Sequence, residues 1–352
     1  MNNLSLYGWN DTLFQLKQAS QYKHLFHGRV AAVNKTNYEV IAQSGRLLCE
    51  LAGNVLYGKS SFELPCTGDW VIFQTFDDNK GIIVDILPRK HTLYRRKSGT
   101  QSDRQAIASH VDKAFIVQSL DANFSVRRTE RFMVQAVEEN IQPILILNKS
   151  DLEFNRHEVE ESLKHIGHQM PIFFTSTLSP ETILPVQKFI KQGESIVFVG
   201  SSGVGKSSLI NALCKRTVFS TSEISKSSGK GRHTSTRREM VLMEGSGVLI
   251  DTPGVREFGL VSDNSDTLSN IFDVADFAVY CRFENCTHLD EPDCAVLEAI
   301  ENGVLDTKVY KSYLKLQNEA SHFTISEHEK RKKGKKNAKI LEEVKKRKSD
   351  LQ

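Results

Sequence analysis

The chain has 352 residues and a mass of 39.7 kDa, enough for two or three domains with separate hydrophobic cores. Apolar residues make up 39% and charged residues 25%, and no apolar run approaches the roughly 18 residues of a membrane helix, so we expect a soluble globular protein. The net charge of +3 is uneven, because residues 330–352 carry eleven Lys or Arg against three acidic residues. This basic end predicts contact with a polyanion or, alternatively, a solvated and partly helical tail. The start of the chain lacks the basic and apolar regions of a signal peptide, which predicts a cytoplasmic protein.

The first 90 residues predict a short helix followed by a small β-barrel. An apolar stretch around Leu13, Phe14 and Leu16 predicts one helix within residues 1–22. Five β-like runs separated by turn residues follow, at 28–33, 38–42, 47–51, 70–76 and 81–87. Five strands in about 60 residues favour a closed OB-like barrel, with an SH3-like barrel as the alternative.

Residues 88–99 are rich in Lys and Arg and predict a basic linker. Beyond them, apolar runs alternate with segments of helical periodicity such as 129–139. The predicted strands of this region are 114–120, 143–147, 172–174 and 196–199. This alternation predicts an α/β domain with a parallel sheet that is covered on both faces.

The sequence GSSGVGKS at 200–207 matches the phosphate-binding pattern G-x-x-x-x-G-K-[ST], between a predicted strand and a predicted helix. The glycines allow backbone N–H groups and the helix N-terminus to face a phosphate. Lys206 is expected to reach the β and γ phosphates, and Ser207 to ligate Mg²⁺. The nucleotide contacts predicted here are Gly200, Ser201, Ser202, Gly203, Val204, Gly205, Lys206, Ser207 and Ser208.

The segment Asn148-Lys149-Ser150-Asp151 follows a predicted strand, at the strand end where parallel sheets bind ligands. The Asp151 carboxylate can accept both N1–H and the exocyclic amine of guanine, whereas adenine presents no such donor pair. Asn148 can bond the purine edge and nearby loops, and the Lys149 stem can lie against the ring. Alone, this tetrapeptide is also typical of a strand-to-helix turn capped by Asp151. Beside a phosphate loop it predicts a guanine site.

Two later segments are candidates for sensing the γ phosphate. Asp251 follows another apolar run and can hold Mg²⁺ through water, while the Gly254 amide can contact the γ phosphate. The polar, Gly-rich residues 229–236 lie between the two phosphate segments, and Thr234 or Thr236 can complete the Mg²⁺ shell. The alternative for residues 229–236 is an ordinary flexible surface loop.

Three cysteines and one histidine, Cys281, Cys286, His288 and Cys294, fall within 14 residues. Three thiolates and one imidazole form a closed tetrahedral ligand set for one structural Zn²⁺, and soft sulfur ligands disfavour Mg²⁺ or Ca²⁺. Buried cysteines with a surface histidine are the alternative. Two helices are predicted after the cluster begins, at 294–302 and 307–320.

The order of the motifs is unusual, because the base motif precedes the phosphate loop by about 50 residues and most GTPases have the reverse order. A permuted chain rebuilds the same pocket if the original termini were close together. The order NKSD, GSSGVGKS, GRHTST and DTPG, between a barrel-like region and a Cys/His cluster, resembles the circularly permuted GTPases of the RsgA type. The resemblance covers about residues 28–316. Ser235 departs from the threonine that the family often has, so either Thr234 or Thr236 is left to serve Mg²⁺.

The resemblance implies a bacterial cytoplasmic GTPase that binds the small (30S) ribosomal subunit and its rRNA and acts in its late maturation. It implies hydrolysis of GTP to GDP with Mg²⁺, and zinc held by the four clustered residues. The expected fold is multidomain: an N-terminal OB-like β-barrel, a circularly permuted α/β P-loop GTPase and a C-terminal helical zinc-binding domain. The expected boundaries are 1–90 for the barrel, 91–265 for the GTPase, 266–325 for the zinc-binding domain and 326–352 for the basic tail. We expect a monomer without a membrane partner.

Val255 stands where many GTPases place a glutamine that orients the attacking water, which predicts slow intrinsic turnover raised by a partner. His233 is the nearest candidate to position that water, and the resemblance implies the same role; a surface histidine or a phosphate or RNA contact is the alternative. The predicted catalytic set is His233, Thr234 and Lys206. Two other functions stay open: a GTP-gated RNA-binding adaptor with incidental hydrolysis, and a P-loop ATPase or kinase.

A small barrel can bind single-stranded RNA through basic residues and exposed aromatics. The candidates on the predicted barrel are Arg29, Arg46, Lys59, Tyr38, Tyr57 and Trp70. The aromatic residues are equally suited to the barrel core, which we favour for Trp70. The linker and the tail would add phosphate contacts that depend on salt.

Overall fold

The computed structural model describes residues 3–56, 62–96, 104–167, 170–218, 239–243, 245–250 and 265–319. These residues fall into two compact units, the first ending at residue 250 and the second comprising 265–319. None of the helices in these ranges combines the length and hydropathy that a membrane span requires.

The first unit begins with a 3-10 helix (Leu4–Tyr7) and an α-helix, α1 (Asp11–Ala19). The sequence predicted one helix, and the structure divides it at Gly8, which has a φ of +89°. A Cβ at Gly8 would lie 2.8 Å from the carbonyl oxygen of Gly193, so a larger residue does not fit there. The side chain of Asn10 caps α1 by accepting a hydrogen bond from Leu13 N–H at 3.1 Å.

Five strands then close into a barrel: β1 (Phe26–Val33), β2 (Tyr38–Ala42), β3 (Gly45–Leu51), β4 (Trp70–Asp77) and β5 (Lys80–Ile86). A one-turn helix, α2 (Gly53–Leu56), follows β3. The strand order is β1-β2-β3-β5-β4, with β4 paired back to β1 and only β3 and β5 parallel. Alternate side chains fill the interior, including Val40, Phe73 and Ile83. The closed barrel confirms the prediction, and its one parallel pair favours the OB-like over the SH3-like order.

A two-stranded antiparallel sheet follows the barrel, formed by β6 (Leu93–Arg96) and β7 (Arg104–Ala108). The sequence predicted a basic linker for this stretch, and the structure differs for two reasons. Leu93 is buried, so this part of the chain packs against the unit. Arg89 donates a 2.7 Å hydrogen bond to the fully buried carboxylate of Asp69, which neutralises one of the basic residues.

The α/β part of the first unit runs β8 (Lys113–Ser119), α3 (Val126–Glu138), β9 (Gln142–Asn148), α4 (Arg156–Gly167), β10 (Ile172–Thr175), α5 (Leu184–Phe189), β11 (Ser195–Val199), α6 (Lys206–Cys214), β12 (Met240–Leu242) and β13 (Val248–Ile250). The sheet order is β10-β9-β8-β11-β13-β12, and every pair is parallel except β12 with β13. Strands β9 and β10 lie on one side of β8, and the later strands β11, β13 and β12 lie on its other side. The carboxyl ends of β8 and β11 therefore form a topological switch point, where such sheets bind ligands.

The buried strands pack against helices, as the alternating pattern predicted. One core joins Phe115 and Val117 of β8 with Phe198 of β11 and the apolar residues Leu209 and Leu213 of α6. Helix α3 contacts β8 and β9 and buries residues such as Met133. These contacts fix the strand ends and hence the loops that follow them.

The second unit is helical: α7 (Ser265–Ile271), α8 (Ala275–Ala278), α9 (Ala295–Glu301) and α10 (307–319). The two predicted helices are therefore confirmed: α9 lies within a residue of its predicted bounds, and α10 begins at the predicted residue 307 and continues to 319, the last residue described. Buried apolar residues such as Phe272, Val296 and Leu316 supply its core.

Candidate nucleotide-binding site and metal centre

The two principal nucleotide motifs lie at the carboxyl ends of parallel strands in the same sheet. The phosphate loop connects β11 to α6 at the switch point. The N-K-S-D segment begins at the last residue of β9, two strands away. Both strand positions agree with those expected from the sequence.

Two glycines allow the phosphate loop to approach its neighbours closely. Gly200 has a φ of +146°, and a Cβ there would lie 2.3 Å from the carbonyl oxygen of Val117 in β8. Gly205 has a φ of +92°, and its Cβ would lie 2.2 Å from Nδ2 of Asn148. Since a side chain fits at neither position, the loop backbone can wrap a phosphate only with glycine there.

Lys206 is the first residue of α6, and its ammonium group is held against the loop. Nζ donates hydrogen bonds to the carbonyl oxygens of Gly200 and Ser201, both at 2.7 Å. The loop therefore combines a cation with the N-terminus of α6, an arrangement that favours negative charge. The hydroxyl-bearing Ser207 and Ser208 occupy the same first turn.

Asn148 joins the base motif to the phosphate loop. Its Nδ2 donates to the carbonyl oxygen of Val204 at 2.9 Å, and its Oδ1 accepts a hydrogen bond from Thr175 Oγ1 at 3.2 Å. Asn148 is buried, and both polar atoms of its side chain are thereby satisfied. This asparagine therefore joins the ends of β9 and β10 to the phosphate loop, a role beyond the purine contact expected for it.

Asp151 is exposed at the edge of the same site. Ser176 Oγ donates a hydrogen bond to Asp151 Oδ1, and Ser150 N–H donates to the carbonyl oxygen of Thr175 at 3.0 Å. The residues that end β10 therefore orient the carboxylate. Ser176 uses one lone pair of one oxygen, so the carboxylate keeps acceptor capacity for a purine edge.

Sequence reasoning missed Asp121, which lies after β8. Its carboxylate accepts hydrogen bonds from Lys149 Nζ at 2.8 Å, Ser119 Oγ at 2.7 Å and Asn123 N–H at 2.9 Å. Burial alone would raise the pKa of Asp121, but these three donors outweigh burial and lower the pKa to about 2. The signal in the sequence was the position of Asp121 two residues beyond a strand at the switch point.

Several predicted site residues lie outside the described residues. They are His233, Thr234, Ser235, Thr236, Asp251, Gly254 and Val255. The assignment of these residues to Mg²⁺, the γ phosphate and the attacking water therefore stays a prediction.

The structure brings the four clustered metal-ligand candidates of the second unit together. The ligand atoms of Cys281, Cys286, His288 and Cys294 all lie within 4.8 Å of one another. The Sγ atoms of Cys281 and Cys294 are 3.8 Å apart, and His288 Nδ1 lies 3.6 Å and 3.5 Å from them. Tetrahedral zinc with Zn–S of about 2.3 Å and Zn–N of about 2.0 Å requires edges of about 3.8 Å and 3.5 Å. The donor set and its spacing therefore fit a metal ion of this kind.

The surroundings of the cluster also suit a cation. Burial raises the pKa of the Cys286 thiol to about 12, and hydrogen bonds with Cys294 and Cys281 add to the effect despite an opposing backbone bond. A bound cation would reverse this and favour the thiolates.

Tyr310 of α10 donates a hydrogen bond to the carbonyl oxygen of His288, which ties the ligand loop to a helix. Glu291 accepts hydrogen bonds from Thr287 Oγ1 and N–H, which hold the pKa of that carboxyl near 2.

The barrel residues considered for RNA contact mostly serve the core. Arg29, Tyr38 and Trp70 are buried, so they are unavailable to an RNA strand, and the preference for Trp70 as a core residue is confirmed. The Arg29 guanidinium donates to the carbonyl oxygens of Gly68 and His110 at 2.9 Å and 3.3 Å, which explains why a charged residue is tolerated inside. Arg46 alone of this group is exposed among the described residues; Tyr57 and Lys59 lie outside them.

The chain is similar to known GTPases over most of its length. Residues 86–261 match the family described as RsgA GTPase, and residues 195–342 match the family described as 50S ribosome-binding GTPase. A protein of Bacteroides thetaiotaomicron, small ribosomal subunit biogenesis GTPase RsgA 1, is 65% identical over 350 residues, which cover 99% of each chain. The protein named small ribosomal subunit biogenesis GTPase RsgA in Leptospira interrogans is 36% identical over 99% of this chain and 97% of its own.

Solved structures support the same architecture. YjeQ from Thermotoga maritima superposes with a TM-score of 0.63 at 27% identity, covering 84% of this chain and 98% of its own. YloQ, described as a circularly permuted GTPase, superposes with a TM-score of 0.62 at 23% identity over 86% of this chain and 97% of its own. The second match bears on the fold alone, and it agrees with the motif order in this sequence.

Proposed function

The chain belongs to the RsgA family of small ribosomal subunit biogenesis GTPases, and from that membership we propose which residues bind and hydrolyse its GTP. It is a GTP-hydrolysing enzyme that acts in biogenesis of the small ribosomal subunit, and it binds GTP, GDP and the ribosome. One observation carries the assignment of the site. The N-K-S-D segment and the phosphate loop are joined at the switch point by the hydrogen bond between Asn148 and Val204.

Guanine is recognised by the N-K-S-D segment. The Asp151 carboxylate, oriented by Ser176, accepts the N1–H and the exocyclic amine of guanine. Asn148 holds the segment against the phosphate loop, and the stem of Lys149 lies along the purine ring. Adenine is rejected because its edge leaves this carboxylate without the donor pair.

The phosphates are bound by residues 200–208. Backbone N–H groups of the loop and the N-terminus of α6 face the negative charge, and Lys206 moves from the loop carbonyls to the β and γ phosphates. Ser207, with Thr234 and Asp251, would hold Mg²⁺, which when bound neutralises charge on those phosphates. Hydrolysis breaks the bond from the γ phosphorus to the oxygen that remains on GDP, and Lys206 stabilises the charge that develops there.

His233 is proposed to position the attacking water, since Val255 cannot form a side-chain hydrogen bond with it. His233 precedes Thr234, a predicted Mg²⁺ ligand, and Val255 follows Gly254, whose amide is a predicted γ-phosphate contact. Intrinsic turnover is therefore slow, and the small subunit accelerates it by ordering these loops.

The small subunit is engaged through its rRNA by the basic tail (326–352), whose Lys and Arg residues make phosphate contacts. GTP raises affinity for the subunit and GDP favours release. The structural metal of the second unit is Zn²⁺, held by its three cysteines and one histidine. We expect a monomer that works in the cytoplasm, where ribosomal subunits assemble.

The deciding experiment measures GTP turnover by the full chain with increasing amounts of small subunits at several salt concentrations. We expect strong stimulation that weakens as salt rises, because rRNA binding releases counterions. In a His233→Ala variant the stimulation should disappear while GTP affinity stays unchanged. A stimulated rate equal to that of the unmodified protein would exclude the catalytic role of His233. Absence of stimulation in the unmodified protein would favour an adaptor with incidental hydrolysis.

A further inference from the structure

Residues 119–128, between the end of β8 and the first turn of α3, belong to none of the nucleotide motifs. They nevertheless contact both nucleotide-binding segments at the switch point. We call this stretch the bracket segment. Its contacts begin at Asp121 on the guanine side and end at Arg128 on the phosphate side.

On the guanine side, Asp121 fixes the side chain of Lys149. The Lys149 ammonium lies 2.8 Å from Asp121 Oδ2, and Lys149 has a backbone φ of +62°. Ser119 Oγ and Asn123 N–H both donate to Oδ1, so the carboxylate is held from two further directions. With three donors the carboxylate cannot rotate freely, and the stem of Lys149 is confined to one path across the base site.

On the phosphate side, Arg128 holds the second residue of the phosphate loop. One nitrogen, Nη1, donates to Ser201 Oγ and to the carbonyl oxygen of Asn123, both at 3.0 Å. Arg128 occupies the first turn of α3, where its N–H is capped by Ser125 Oγ at 3.4 Å. The guanidinium is therefore anchored to a helix while it reaches the loop.

Asn123 connects the two sides. Its N–H donates to Asp121 and its carbonyl oxygen accepts from Arg128, which gives a continuous path Lys149–Asp121–Asn123–Arg128–Ser201. We propose that Asp121 and Arg128 are positioning residues which, through this path, preorganise Lys149 for the purine and the phosphate loop for the phosphates. The proposal rests on the nucleotide site assigned above and adds two residues to it.

Preorganisation predicts which property changes on substitution. A Gly-rich loop and a long lysine side chain both lose conformational freedom when nucleotide binds. Because the bracket segment already restricts both in the nucleotide-free protein, less conformational entropy is lost on binding. Asp121 and Arg128 do not touch the reacting bond. Their removal should therefore weaken binding and raise KM, while kcat at saturating GTP is kept.

The test uses the full chain and fluorescent GDP and GTP analogues, with inosine triphosphate (ITP) as a competitor. We expect Asp121→Asn to weaken GTP, GDP and ITP binding by the same factor of about ten, since Lys149 contacts the ring face and not the exocyclic amine. Arg128→Ala should speed release of GDP and GTP by about threefold to tenfold, and Arg128→Lys should restore part of the loss. The controls with equal charge changes are Asp78→Asn, in a barrel turn, and Arg127→Ala, on the same helical turn as Arg128.

Two further measurements separate positioning from misfolding. The double variant Asp121→Asn/Arg128→Ala should lose less than the product of the single losses, because each substitution breaks the same path. Binding stoichiometry should stay at one nucleotide per chain, whereas a folding defect lowers the active fraction. Affinities within twofold of the unmodified protein, or losses that multiply, would overturn the proposal and leave the GTPase assignment intact. Failure of the unmodified protein to bind guanine nucleotides would overturn both.

Discussion

The side-chain amide of Asn148 donates a 2.9 Å hydrogen bond to the carbonyl oxygen of Val204, 56 residues further along the chain. Permutation therefore places the base motif first in the chain but leaves it in direct contact with the phosphate loop. The adjacent Gly205 has a positive φ, and a Cβ there would lie 2.2 Å from the same amide nitrogen. A side chain at position 205 would therefore displace the Asn148 amide from its hydrogen bond.

Gly205→Ala should destabilise the nucleotide-free protein more than the same change at a glycine of similar backbone conformation. Gly245 has a φ of +69°, and no atom of the residues that the structure describes lies within 4 Å of its Cβ position, so Gly245→Ala introduces backbone strain without a clash among them. Strain costs about 1–2 kcal/mol at either site, and the clash with Asn148 adds about 1–3 kcal/mol at Gly205. Urea unfolding of both variants measures the difference, and equal losses would contradict the close contact.

Asp151→Asn should change the base preference from guanine to xanthine. The carboxylate accepts two donors from guanine, whereas an asparagine amide can donate to the C2 oxygen that xanthine has in place of the amine. We expect a loss of GTP affinity of about 100-fold and a gain for xanthosine triphosphate, measured by competition with a fluorescent nucleotide. Ser176→Ala is the matched control, because it leaves the carboxylate in place and removes the hydrogen bond that orients it, together with the one that Ser176 Oγ accepts from Leu178 N–H at 3.1 Å. That control should weaken binding without inverting the preference; an unchanged preference in Asp151→Asn would refute the base assignment.

His110 should make the first unit less stable at mildly acidic pH. Burial, reinforced by the nearby Arg29 charge, lowers the pKa of His110 to about 4, and the structure shows no hydrogen-bond partner for its Nε2 among the described residues. In the unfolded chain an imidazole titrates near 6.5. Between about pH 6.5 and pH 4 the unfolded state is therefore protonated at this histidine while the folded state is not. Stability is therefore fully present above about pH 6.5 and falls as the pH is lowered towards 4.

His110→Asn tests this expectation, because asparagine tolerates the backbone φ of 52° at that position. Between pH 7 and pH 5 the unmodified protein should lose up to about 2 kcal/mol through this group, measured from urea midpoints. The variant should show a smaller loss of stability over this range. Part of the loss should remain, because burial also lowers the pKa of His27 to about 4. The exposed His157→Asn serves as control; identical pH profiles for both variants would exclude His110 as the source.

Sequence reasoning located the elements and motifs well because their signals are local. The strand Tyr38–Ala42 was predicted with its observed bounds, and the phosphate loop was predicted between the strand and helix that flank it. Both depend on periodicity and turn residues within a few positions. Ligand spacing in the Cys/His segment is equally local, and the four ligand atoms converge as expected.

Residues whose role depends on distant partners were not predictable in the same way. Arginine is usually found at protein surfaces, and Arg29 was considered for RNA contact. Its burial is possible because its guanidinium donates hydrogen bonds to the carbonyl oxygens of Gly68 and His110, which lie far along the chain. Asp121 and Arg128 carry no motif, because their partners Lys149 and Ser201 meet them only after the sheet forms. The position of Asp121 after a strand marks it as a candidate, but a single sequence does not show which residues pair across the switch point.

Loss of one metal ligand should unfold the second unit without affecting nucleotide binding by the first. Cys294 is buried, and its Sγ lies 3.5 Å from His288 Nδ1, so Cys294→Ser removes a thiolate from a closed set of four. We expect metal content to fall from one zinc per chain to nearly none, with loss of hydrogen-exchange protection in residues 307–319, because zinc binding contributes to folding. Cys214→Ser, outside the cluster, should keep its zinc, and GTP affinity should be unchanged in both variants. Retention of one zinc per chain by Cys294→Ser would rule out this cysteine as a ligand, and cobalt substitution would then report the remaining sulfur ligands through their visible absorption.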